Sequence, residues 1–70
     1  MKQSVGFIGG GRITKILLQA FSNKNVKFSD VVVTDPNNEV TSKLKTIYPF
    51  IRVEDGSVAA AQDIVFISLH

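Results

Sequence analysis

Cysteine is absent from this chain of 70 residues, which excludes a disulfide framework and any thiolate metal site. Histidine occurs once, as His70, with no partner ligand nearby, so a metal centre is not expected. Long apolar runs are missing as well. The first one is broken within a few residues by Gly9 to Arg12, too early for a secretory signal core or a membrane span. Charge of one sign never accumulates: Arg12, Lys15, Lys24, Lys27, Lys43, Lys45 and Arg52 lie scattered, with no aromatic residues interleaved at a stacking spacing. A net charge of +2 and a pI of about 9.2 therefore read as a solvated surface, not as a nucleic-acid interface. There is no internal repeat, low-complexity tract or linker. These absences leave a small unit suited to a reducing cytoplasm, with no metal, membrane or nucleic acid expected as partner.

What is present is an alternation of strand and helix signals in a composition of 44% hydrophobic and 20% charged residues, too apolar for disorder. Ser4 to Ile8 reads as a strand buried on both faces. Ile13, Ile16, Leu17, Ala20 and Phe21 then repeat as the apolar stripe of an amphipathic helix, closed by Ser22-Asn23-Lys24-Asn25. Asp30 to Thr34 is a second, β-branched run. It stops at Asp35-Pro36-Asn37-Asn38, and a second helix carries Val40, Leu44, Ile47 and Tyr48 before Pro49. Phe50 to Val53 gives a third strand, Glu54 to Ser57 a turn, Val58 to Gln62 a short helix, and Ile64 to Leu69 a fourth strand. The order β-α-β-α-β-α-β predicts an α/β fold, a three-layer Rossmann-like fragment with a parallel sheet, right-handed crossovers and strand order 3-2-1-4. The fourth strand is then an open edge, through which the chain is expected to self-associate.

The junction of the first strand and helix reads Gly9-Gly10-Gly11-Arg12-Ile13-Thr14. In that setting Gly-x-Gly is a pyrophosphate cradle: Gly9 permits the tight turn, Gly11 the close approach of the anion, and the amides of Gly11, Arg12 and Ile13 donate to its oxygens. Thr14 stands where a glycine or alanine usually brings helix and strand together. Asp35 ends the second strand, where a carboxylate receives adenosine ribose hydroxyls or, with Pro36 following, caps the second helix. Ser68, Leu69 and His70 lie at the carboxyl end of the fourth strand, on the edge where ligands settle in such sheets.

Three stretches carry a resemblance that spans essentially the whole chain. Val5-Gly6-Phe7-Ile8-Gly9-Gly10-Gly11, Val33-Thr34-Asp35-Pro36 and Asp63-Ile64-Val65-Phe66-Ile67-Ser68-Leu69-His70 are together similar to the N-terminal part of pyrroline-5-carboxylate reductase. The resemblance implies an oxidoreductase that forms proline from a cyclic imine with a nicotinamide cofactor, usually NADPH. It also implies a separate C-terminal helical domain that forms the homo-oligomer and much of the substrate site. Residues 1–70 would then be the N-terminal part of a dinucleotide-binding domain, with no catalytic residue of its own and inactive alone. Carried onto this sequence, the resemblance places Ile8, Gly9, Gly10, Gly11, Arg12 and Ile13 around the pyrophosphate and Asp35 beside the ribose. It places Asp55 near the cofactor, where an asparagine is common, and Ser68, Leu69 and His70 near the nicotinamide. His70 in place of lysine, Asp55 in place of asparagine and Thr14 in place of a smaller residue depart from that pattern. They leave room for an oxidoreductase resembling the coenzyme F420-dependent NADP reductases, or for a dinucleotide-sensing module without turnover. NADP is the cofactor the resemblance implies, while Asp35 keeps NAD open because a carboxylate opposes a 2′-phosphate.

Overall fold

A computed structural model describes residues 3–68. Seven elements follow in order: β1 (Val5–Ile8), α1 (Arg12–Asn23), β2 (Val31–Thr34), α2 (Asn38–Ile47), β3 (Arg52–Val53), α3 (Gly56–Ala60) and β4 (Ile64–Ile67). The four strands form one sheet in the order β3-β2-β1-β4, with every pairing parallel. The expected α/β topology is therefore the one observed.

Register explains why β1 and β2 are so apolar. Val5 pairs with Val31 and Ile64, and Phe7 with Val33 and Phe66, so each central residue is flanked by apolar neighbours on both sides. Val5, Phe7, Val31 and Val33 join Leu18 of α1 and Leu44, Tyr48 and Ile51 from α2 and the segment after it in one buried cluster. The Phe7 and Phe66 rings stack at 5.3 Å, and Phe21 tilts against Phe7 at 6.2 Å. On the opposite face, Gly6 admits α3: a Cβ there would run into the carbonyl of Ala59, itself fully buried. Gly6 thus sets the spacing between the central strand and α3.

The helices differ from the expected pattern in which face they bury. The buried positions of α1 are Thr14 and Leu18, flanked by half-buried Leu17 and Phe21, whereas Ile13 and Ile16 are 52% and 55% exposed. In α2, Thr41 and Leu44 are buried and Ile47 is exposed. The reason is the same in both helices. A threonine hydroxyl satisfied within the fold takes a core-facing position, Thr14 toward the carbonyl of Gly9 and Thr41 toward that of Asn38, so the buried arc is rotated from the one the apolar residues trace.

Element ends move by small amounts. Phe50 lies outside β3 with its ring edge-on to Tyr48. α3 begins at Gly56 instead of Val58, because the Asp55 carboxylate accepts the Val58 N–H and serves as its cap. β4 reads as a continuous apolar run, yet Val65 and Ile67 are exposed. It is paired on one side only, by β1.

Candidate dinucleotide-binding site

The carboxyl edge of the parallel sheet is where β1 meets α1, β2 meets α2 and β3 meets α3, and ligands of open α/β sheets bind along that edge. Gly9 leaves β1 with φ of 101°, a left-handed conformation that a side chain resists. A Cβ at Gly9 would also strike the carbonyl of Ser68, so the glycine turn lies directly against the end of β4. The Gly9 N–H donates to the Thr34 carbonyl at 2.8 Å and the Ser68 N–H to the Ile8 carbonyl at 2.8 Å. Three strand ends are thereby tied to one turn.

Gly11 is the N-cap of α1, and no side chain caps that terminus; no acidic residue occupies the first turn, and the first helical residue is the cation Arg12. A helix start of this kind presents unsatisfied amides and the positive end of the macrodipole. It follows a turn that carries no side chain at positions 9, 10 or 11, and Arg12 and Ile13 of its first turn are exposed. These residues fit a pyrophosphate on this structure's own geometry: helix-start amides with no competing carboxylate cap, behind a turn whose first two glycines pack so closely against Ser68 and Val40 that no Cβ has room there.

Asp35 sits just beyond β2, and its carboxylate is engaged by backbone. Oδ2 accepts the Gly10 N–H at 2.7 Å and Oδ1 accepts the Asn37 N–H at 2.8 Å. The cap of α2 is instead Asn37, whose Oδ1 accepts the Glu39 N–H at 3.0 Å. Asp35 is therefore not the cap of α2, and its carboxylate is anchored between the glycine turn and the start of α2.

The family of NADP oxidoreductases described as coenzyme F420-dependent matches residues 4–70. The chain belongs to this family. No curated protein and no solved structure matches it significantly. Membership in an NADP oxidoreductase family supports a nicotinamide dinucleotide as cofactor and agrees with the parallel 3-2-1-4 sheet.

In this member of the family, Ile8, Gly9, Gly10, Gly11, Arg12 and Ile13 form the continuous strand-turn-helix junction. Asp35 stands across the turn from Gly10, and the backbone of buried Ser68 packs beside Gly9. Asp55 lies on the same sheet edge after β3, exposed, with Oδ1 accepting the Ser57 hydroxyl at 2.6 Å and the Val58 N–H at 3.1 Å. Those two donors hold its carboxyl below the usual aspartate range. Leu69 and His70 lie outside the described residues. Two participants escaped the sequence reading: Asn37 as the α2 cap, signalled only by its place in the Asp-Pro-Asn-Asn cluster, and the Thr14 hydroxyl, whose Oγ1 donates to the Gly9 carbonyl at 2.6 Å. Among the described residues no His, Cys, Asp and Glu side chains group to hold a metal ion, and no helix is long and apolar enough to cross a membrane.

Proposed function

We propose that this chain is the cofactor-binding part of an NADP-dependent oxidoreductase, with residues Ile8 to Ile13 holding the pyrophosphate and Asp35 beside the adenosine ribose. The observation that carries this reading is the uncapped start of α1 behind a side-chain-free turn, with Asp35 fixed across from it. Asp55 and Ser68 line the same edge toward the nicotinamide. The bound nicotinamide supplies hydride; these residues supply position and charge. None of them offers a general acid or a substrate pocket, so residues 1–70 act as the N-terminal part of a larger catalytic unit.

NADP is favoured over NAD by the family; Asp35 gives one carboxylate oxygen to the amide of Gly10 and the other to that of Asn37. Its charge still opposes a 2′-phosphate. Calorimetric titration with NADPH and NADH is expected to show tighter binding of NADPH. Asp35→Asn keeps one acceptor oxygen for Gly10 while removing the charge, and should improve the ratio in favour of NADPH about fivefold. Binding of neither cofactor would reject the reading, and a clear preference for NADH would reject the NADP assignment.

For the substrate, similarity to pyrroline-5-carboxylate reductase supports a cyclic imine reduced to proline. A second reading, hydride exchange with coenzyme F420, is favoured by the family's own description. Following NADPH oxidation with pyrroline-5-carboxylate, and separately NADP reduction by reduced F420, distinguishes the two.

A further inference from the structure

The third small position of the glycine motif holds Thr14, a fully buried residue whose hydroxyl donates to the Gly9 carbonyl at 2.6 Å. On the other side of the turn, Asp35 Oδ2 accepts the Gly10 N–H at 2.7 Å. The Gly9 carbonyl and the Gly10 N–H belong to one peptide group. Both polar ends of a single peptide plane are therefore gripped by side chains, one from α1 and one from the end of β2.

That plane is the one most in need of restraint. It lies between two glycines and leads to a third, and glycine populates positive and negative φ about equally, so a Gly-Gly peptide rotates between opposite orientations at little steric cost. A flip would turn the Gly10 N–H and the Gly9 carbonyl through about half a turn about the Cα–Cα axis and change how the following residues enter α1. It would also break both side-chain bonds and leave the buried Thr14 hydroxyl without its acceptor. A glycine or alanine at position 14 has no atom with which to hold the Gly9 carbonyl.

We infer that Thr14 and Asp35 clamp the Gly9–Gly10 peptide and fix the anion-binding shape of the turn before any dinucleotide arrives. Thr14 is thus a positioning residue, acting on the ligand only through the backbone of Gly9. The inference deepens the cofactor reading above, but its first consequence is a property of the ligand-free protein. Preorganisation of this kind stabilises the bound state by removing an ordering cost from binding.

The test compares Thr14→Val, which keeps the shape and removes the hydroxyl, with Thr14→Ser, which keeps the hydroxyl. Amide hydrogen exchange of Gly9 and Gly10, referenced to Val5 and Phe7 of β1, is read without ligand, and NADPH affinity is read separately. Thr14→Val is expected to speed Gly10 exchange about tenfold relative to β1 and to weaken NADPH binding about five- to tenfold. Thr14→Ser should restore both to within about twofold of the wild type. Wild-type exchange in Thr14→Val overturns the clamp, and so does a Thr14→Ser protein as impaired as Thr14→Val, since packing alone would then explain the residue. If Thr14→Val does not fold, Thr14→Ala takes its place against Thr14→Ser with the same readings. If the wild type binds neither NADPH nor NADH, the cofactor reading falls, while the exchange comparison still decides the clamp.

Discussion

At the scale of single residues, the sheet edge places two carboxylates in comparable positions with different work. Asp35 is held by backbone amides on both oxygens, joining two elements. Asp55 uses one oxygen on the Ser57 hydroxyl and the Val58 N–H, within its own turn, and its pKa is lowered mainly by the Ser57 hydroxyl and next by the Val58 amide. A carboxyl whose pKa is lower folded than unfolded contributes stability above its unfolded value and loses that contribution as pH falls through the folded one. Acid unfolding followed by circular dichroism below about pH 4 should therefore be less steep in Asp55→Asn, which still caps α3 but does not titrate. An unchanged acid limb would mean that the Asp55 charge is irrelevant to stability. Thr14 shows why residue roles of this kind are hard to read beforehand. Its type says polar and its place in the glycine motif says close packing, and only the position of the Gly9 carbonyl reconciles them.

The elements themselves were largely visible, because strand runs such as Val31–Val33 and helix breaks such as Pro49 are local signals that tertiary contacts left intact. Faces were less visible than elements. Periodicity weights apolar residues, so it assigned Ile13, Ile16 and Ile47 to the interior and passed over Thr14 and Thr41. The difference is measurable in α1. Leu18→Ala, at a fully buried site, should lower unfolding free energy by about 2–5 kcal/mol in urea titrations. Ile16→Gln, two residues away on the exposed side, should change it by no more than about 0.5 kcal/mol. Equal costs would restore the face that periodicity traced. Asn37 illustrates the same limit at a helix start: four turn-forming residues in succession offer several caps, and the choice rests on Asp35 being occupied by Gly10.

For the whole molecule, strand order was legible from alternation and handedness together with the glycine turn that marks a dinucleotide fold, as was the edge along which the glycine turn, Asp35 and Ser68 converge. Their mutual bonding was not, since the clamp on one peptide plane depends on distances between residues 5 and 25 positions apart. β4 is the apolar margin of this sheet, with Ile67 65% exposed. An exposed apolar strand edge invites pairing between chains, so Ile67→Lys is expected to lower concentration-dependent association in sedimentation velocity while the far-ultraviolet spectrum stays unchanged. The other end of β4 has a different consequence. Ser4 and Asp63, 59 positions apart, exchange hydrogen bonds: the Ser4 N–H and hydroxyl donate to Asp63 Oδ2 at 2.9 and 3.2 Å, and the Asp63 N–H donates to Ser4 Oγ at 3.0 Å. β1 is thus completed on its second flank by a strand that lies some 59 positions further along the chain. On a ribosome β1 can pair early with β2, but its other flank stays open for the few seconds that about 5–20 residues per second require to deliver β4. The Ser4–Asp63 latch is where that wait ends.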